Sequence, residues 1–229
     1  MKTTVRRFTP SRSLLLAGLA ATGFVAAVAG PATAASASPA TTPVSAVSAD
    51  TPAAPAPVFA AAKGLEHSFQ LQENGYYCAP SATRVALSAQ GKALTQDQVA
   101  KELGTTVNGT DSINQVTGAL NKQLGAGRYH SVGIPGAKAS PAQVAQFKTD
   151  VMTALSAGKP VVANIAGTTT DDNGDRHSYE GGHYIPIVGY ANGGATVIIA
   201  DSADTAGSPY YPISADKVAQ WIATRGYSA

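Results

Sequence analysis

The chain has 229 residues, 16 basic and 14 acidic side chains, a formal net charge of +2 and one cysteine, Cys78. One cysteine excludes an internal disulfide, and so small a charge excess, with no Lys/Arg stripe among aromatics, argues against nucleic acid as a partner. The length suits one domain with a substantial core, plus segments outside it.

The chain begins with a basic segment, Lys2, Arg6, Arg7 and Arg12, followed by an apolar run at 14–30 and small-residue cleavage sequences ending at Ala34 or Ala37. That order is the pattern of a secretory signal peptide. Gly18, Gly23 and many alanines make the run too weakly apolar for a retained anchor, and no other segment approaches the roughly 20 apolar residues that span a bilayer. Residues 1–34 are therefore expected to be removed on export, leaving a secreted, extracellular protein without stable membrane association. Without the four leading cations, 12 basic residues face 14 acids, for a net charge of −2.

Residues 35–62 are almost entirely Ala, Pro, Ser, Thr and Val, with Asp50 the only charge and prolines at 39, 43, 52, 55 and 57. Five prolines forbid a continuous helix, and few large side chains offset the entropy of ordering, so a disordered linker is expected. An inhibitory pro-segment would need an apolar helical face, which this stretch lacks. The domain itself is expected at 63–229.

Its first two thirds carry helix signals. A helix is predicted from Cys78 to about Gln90, with Pro80 tolerated in the first turn. Thr95 with Gln98 forms a capping-box pattern opening a helix that stops at Gly104. Ile113, Val116, Leu120 and Leu124 recur at helical spacing up to Gly125. Ser140-Pro141 with Gln143 opens another helix, whose buried stripe is Val144, Phe147, Val151 and Leu155 and whose stop is Gly158. Strands follow at 159–167, and then a hairpin is predicted from 183–190, a turn around Asn192-Gly193-Gly194, and 195–201. Pro186 lacks a ladder donor, which predicts an edge or a bulge there. Val218, Trp221 and Ile222 suggest a last helical turn or two. Helices first and an antiparallel sheet later make an α+β domain.

A lone cysteine is most often a small buried hydrophobe. Here an exported chain retains an unpaired thiol. Cys78 also sits at a predicted helix start, where free N–H groups and the positive dipole end favour thiolate. Gln72, six residues upstream, is placed to donate its amide to an oxyanion beside the Cys78 N–H. A thiol nucleophile needs a base and an orienting acid. Among four histidines, His67 lies near the linker, His130 has no acid near it, and His177 falls in the polar stretch 168–182, read as a loop; His183 opens the hairpin strand. With a three-residue turn at 191–193, His183 directly faces Asp201, at a Cβ separation of about 4.5–5.5 Å that allows a hydrogen bond. A Gly193-Gly194 turn would bring Asp204 opposite instead. Asp201 is preferred because it ends the β-rich run.

"QENGYYCAPSATRVAL", "GGHYIPIVGY" and "VIIADSAD", in that order, resemble the peptidase C39-like family of papain-fold cysteine peptidases, in particular its secreted stand-alone bacterial members. The resemblance covers about 65–229. It implies a papain-like fold in which the nucleophile helix packs on the sheet. It also implies Cys78 as nucleophile, His183 as general base and acid, Asp201 as orienting acid and Gln72 as oxyanion donor. The sequence departs at Ala79, where the family usually carries Gly. No substrate comes with the resemblance: its best-known members trim double-glycine leader peptides from within ABC transporters.

These readings make the chain a secreted cysteine peptidase acting on a peptide or protein substrate, monomeric and without a cofactor. An acyltransferase or amidase would use the same thiol chemistry, and a binding module could keep the scaffold without an aligned site. Asp171, Asn173 and Asp175 imitate the start of a calcium loop, but Arg176 and Gly182 occupy its glycine and glutamate positions, so a solvated loop bordering the cleft is expected and no metal.

Overall fold

The computed structural model describes residues 62–203 and 208–229. The expected signal peptide, all but the last residue of the expected linker, and Asp204 lie outside these residues. In chain order the elements are β1 (Lys63–Gly64), α1 (Cys78–Ser88), α2 (Gln96–Leu103), α3 (Ile113–Leu124), β2 (Ser131–Gly133), α4 (Pro141–Ser156), β3 (Val161–Thr170), β4 (Arg176–Ala191), a 3₁₀ turn (Asn192–Gly194), β5 (Thr196–Ala200), β6 (Tyr210–Ser214), α5 (Ala215–Trp221) and β7 (Gly226–Ser228).

The helices start and stop where their sequences dictate. At α2, α3 and α4 the N-cap hydroxyls of Thr95, Ser112 and Ser140 accept backbone N–H bonds, while Gln98, Gln115 and Gln143 bond back to the cap N–H groups. These reciprocal bonds satisfy donors that helix ends leave unpaired. Gly104 ends α2 in the left-handed region at φ 67, a conformation glycine adopts without Cβ strain.

The strands of the described residues form one antiparallel sheet in the order β2-β7-β3-β4-β5-β6, with β1 added to β4. Alternating strand residues face opposite sides. Ala163, Ile165, Ile185 and Ile187 pack against Phe147, Val151 and Leu155 of α4 and Val218 and Trp221 of α5. Val162 and Tyr184 pack instead with Leu87 of α1, Val99 and Leu103 of α2 and Val116 and Leu120 of α3. Helices thus cover both faces, which refines the expectation of a helical block followed by a sheet. α1 is buried from Ala79 to Leu87, and its alanines let it lie close on β4. Its one buried charge, Arg84, donates to the carbonyls of Leu94 and Ser68 at 2.9 and 3.0 Å. No helix of the described residues is long and apolar enough to cross a membrane.

Three expectations around β4 are corrected. The polar stretch is not a loop: β3 extends to Thr170 and β4 already begins at Arg176. The turn between them closes because the buried Asp171 carboxylate accepts the N–H groups of Asn173 and Asp175, both at 2.9 Å. The following hairpin turns over four residues rather than three, since Ala191 pairs with Thr196. Asn192 at φ 52 and Gly193 at φ 63 take the left-handed conformation that this turn uses. Finally, of the edge-or-bulge alternatives for Pro186 only the edge fails: it lies inside the sheet, opposite Val162, next to the β-bulge or irregularity between Ile187 and Gly189.

Candidate active site

Cys78 is the first residue of α1. Its N-cap, Tyr77, supplies no side-chain cap, so the first-turn N–H groups are left for whatever lies at the helix end. The His183 ring and the backbone N–H groups of Tyr184 and Ala79 are the groups that act on the sulfur and favour its charged form. The alanine at 79 is accommodated because its side chain is fully buried in the α1–α3 cluster. Burial pushes the Cys78 thiol up, but the hydrogen bond and charge of His183, with the two N–H groups, bring it below its usual value.

His183 sits on β4 opposite Ile165, just after an irregularity. Ile165 pairs with His183 and Gly167 with Tyr179, so Glu180, Gly181 and Gly182 bulge out against Ala166 alone. Such a bulge twists the strand and re-aims the residue that follows. The ring is 4% exposed and donates from Nε2 to Asp201 Oδ1 at 2.8 Å, which leaves Nδ1 for the thiol. Burial alone would lower its pKa, but the bonds and charges of Asp201 and Cys78 drive it up to about 9. Opposite shifts on contacting groups favour a thiolate–imidazolium pair.

Asp201 is fully buried, and its carboxylate is held on both oxygens. Oδ1 also accepts the Ala203 N–H at 2.9 Å, while Oδ2 accepts the hydroxyls of Tyr179 at 2.9 Å and Tyr211 at 3.1 Å. Burial raises its pKa, but the bond and charge of His183 and these donors lower it further, so it stays a carboxylate. The direct cross-strand pairing of His183 with Asp201 does not occur. Ile187 pairs with Ile199 and β5 ends at Ala200, so a continued register would set Asp201 opposite Ile185, diagonal to His183. The contact forms at this diagonal, within reach of a long side chain.

Gln72 is tied to the same corner by its backbone N–H on Ser202 O at 3.0 Å. Its Nε2 donates to Asn74 O at 2.8 Å and its Oε1 accepts from Ser202 Oγ at 3.4 Å. One amide N–H is thereby used, and the second is left. The structure brings Cys78, His183 and Asp201 together, with His183 acting on the thiol and bonded to Asp201; Gln72 stands beside them, linked through the residue after Asp201. Sequence reasoning missed Tyr179 and Tyr211. Tyr179 stacks on His183 with centroids 4.0 Å apart and planes 22° from parallel. The only sequence signal was its place four residues before His183 on a strand that had been read as a loop. His177, also read as a loop residue, is buried on β4 with Nε2 3.2 Å from Asp171 Oδ2. His67 and His130 lie away from this line: His67 bonds to Leu65 O and Tyr210, and His130 pairs its backbone with Ala229.

With this geometry in place, the profile of the Peptidase_C39 like family matches residues 65–229. Among solved structures, a protein from Bacillus anthracis described as a C39-like peptidase is 17% identical, with 73% of this chain and 96% of that one covered and a TM-score of 0.48. The peptidase domain of Streptococcus ComA, a bifunctional ABC transporter, is 15% identical, with 72% and 97% covered and a TM-score of 0.46. A double glycine motif protease from an AMS/PCAT transporter, solved with its leader peptide, is 12% identical over 72% and 91%, at a TM-score of 0.44. No curated protein sequence matches the chain. The family match spans most of the chain: it belongs to the Peptidase_C39 like family, and its α+β fold is papain-like.

Proposed function

We propose that this C39-like family member is a secreted cysteine peptidase with Cys78, His183, Asp201 and Gln72 as its catalytic set. The observation that carries the reading is the half-buried Cys78 thiol at the N-terminus of α1, acted on by the buried His183 ring that is itself bonded to Asp201. The thiolate attacks a peptide carbonyl. The second Gln72 amide N–H and the Cys78 N–H stabilise the oxyanion. His183 then gives its proton to the departing amine, and the thioester forms on sulfur. Water, deprotonated by His183, releases the acid and restores the thiol. Asp201 keeps the imidazole oriented and stabilises its charged form throughout. The opposite shifts that Cys78 and His183 impose on each other weigh against a module with an unaligned site, and the leading basic and apolar residues support export of domain 63–229.

The test is incubation of the purified protein with a mixed peptide library, with and without an added primary amine, followed by mass spectrometry. Hydrolysis that disappears in Cys78→Ala is the expected result. Amine conjugates in place of acids would make the protein an acyltransferase, and no turnover of either kind, with a folded and reactive thiol, would contradict the peptidase reading.

A further inference from the structure

Arg225 follows the turn after α5 and directly precedes β7, and its side chain reaches across to the bulge of β4. A Cβ built on Gly182 would lie 3.0 Å from Arg225 Nη2, 3.1 Å from Cζ and 3.3 Å from Nη1. The guanidinium is therefore packed over Gly182, the residue before His183, in a slot that exists because position 182 has no side chain and takes φ +99. On its other flank the Arg225 charge acts on the Tyr184 phenol, whose own backbone N–H holds the Cys78 sulfur. The cation is thus packed over the residue that directly precedes His183.

Among the described residues this cation has no counter-ion: Arg225 forms no ion pair, and its buried Nε has no hydrogen-bond partner. The nearby Tyr184 hydroxyl donates to Thr110 O at 3.1 Å, so it is already engaged. Asp111 is within electrostatic reach of Tyr184, but it is exposed and makes no ion pair with Arg225. Placing an unpaired, partly buried guanidinium costs desolvation that an anionic partner would offset. Its planar fork fits a carboxylate through two parallel N–H bonds.

We propose that Arg225 is a specificity-determining residue that binds a substrate carboxylate close to the scissile bond, either an acidic side chain or a free C-terminus. The proposal rests on the peptidase reading above and gives that site a substrate class: acidic or C-terminal peptide segments.

Cys78 itself provides the probe. Iodoacetate and iodoacetamide are electrophiles of nearly the same size, one anionic and one neutral. Their alkylation rates at Cys78, measured by mass spectrometry, give a ratio that reports an anion-binding group beside the sulfur. In Arg225→Gln the iodoacetate-to-iodoacetamide ratio is expected to fall roughly three- to tenfold, as expected for loss of one partly screened charge. Arg225→Lys, which returns a charge to the slot, is expected to hold the ratio within about twofold of wild type. A ratio unmoved in Arg225→Gln, or lowered equally in both variants, overturns the proposal. A Cys78 inert to both reagents in folded wild type overturns the peptidase reading and the proposal with it, so the two failures are distinguishable. Matched peptides then separate the sources: cleavage near internal Glu that Gln abolishes identifies a side-chain carboxylate, and cleavage lost on C-terminal amidation identifies the terminus.

Discussion

Strand β4 carries two histidines six residues apart, and each meets a buried aspartate beneath a tyrosine ring. His183 donates to Asp201 at 2.8 Å under Tyr179, with centroids 4.0 Å apart. His177 lies 3.2 Å from Asp171 under Tyr211, with centroids 3.9 Å apart. The two pairs share residue types, burial and stacking, and differ in what else touches them. His183 has the Cys78 thiol on its free nitrogen. Asp171 spends its other oxygen on the Asn173 and Asp175 N–H groups and so closes the β3–β4 turn. A His–Asp contact is thus a structural part, and the proposed function gives a catalytic role only to the one with a nucleophile at its open end. Tyr211 joins the two, stacking on His177 while donating to Asp201 at 3.1 Å.

The sharpest way to break the comparison is to remove one histidine at a time. His183→Ala is expected to lower kcat/KM about 10³–10⁴-fold, the range for loss of a positioned general base and acid. His177→Gln should stay within about tenfold and show its cost as a lower melting temperature. Equal losses in a peptide-cleavage assay would mean that both pairs serve catalysis.

The aspartates should separate next. Asp201→Asn is expected to cost about 10²-fold or more in kcat/KM, because imidazole orientation and charge stabilisation are lost together. Asp171→Ala should leave catalysis nearly intact and lower unfolding stability by about 1–3 kcal/mol in urea titrations, from the turn donors left unpaired. The sign with pH follows from its pKa. Burial raises the Asp171 carboxyl, but the Asp175 and Asn173 N–H groups and His177 lower it below the unfolded value. Its stabilisation is therefore present above the unfolded carboxylate pKa and lost as pH falls through the folded one, so wild type and Asp171→Ala should converge in acid.

The smallest effect falls on the tyrosines. Tyr179→Phe removes one donor from Asp201 Oδ2 while keeping the ring over His183. It should change kcat/KM roughly threefold, with the alkaline limb of the pH–rate profile moving upward, because Asp201 then opposes deprotonation of His183 more strongly. Tyr211→Phe should act in the same direction with an added loss of stability through His177. A downward move of the alkaline limb would place the tyrosines outside the electrostatics of the pair.

The comparison also marks what the sequence made legible. Helix ends were readable because capping boxes and stop glycines act locally: Thr95, Ser140 and Gly104 work within four residues of themselves. Cys78 and His183 were readable from chemistry and motif. The β4 bulge, the four-residue turn and the partner of His177 depend on strand register, which no local residue fixes. Misreading 168–182 as loop hid His177 and Tyr179 together, since polar residues dominate that segment and its alternation shows only once β3 lies beside it. Tyr211 was hidden for a different reason, as its hydroxyl reaches Asp201 from β6. Gln72 lies beside Ser202, but its bond to Asn74 O arises from a turn the spacing does not encode.

The central claim is that Cys78 and His183 form one coupled ionising pair. It is tested most directly by the rate of Cys78 alkylation with iodoacetamide as a function of pH, in wild type and in His183→Ala. Wild type is expected to show its inflection clearly below the ordinary thiol value of about 8.5, with the thiolate persisting after His183 deprotonates near 9. In His183→Ala the inflection should rise to or above the ordinary value, because burial then acts without its opposing partner. An inflection that is the same in both proteins would contradict the account.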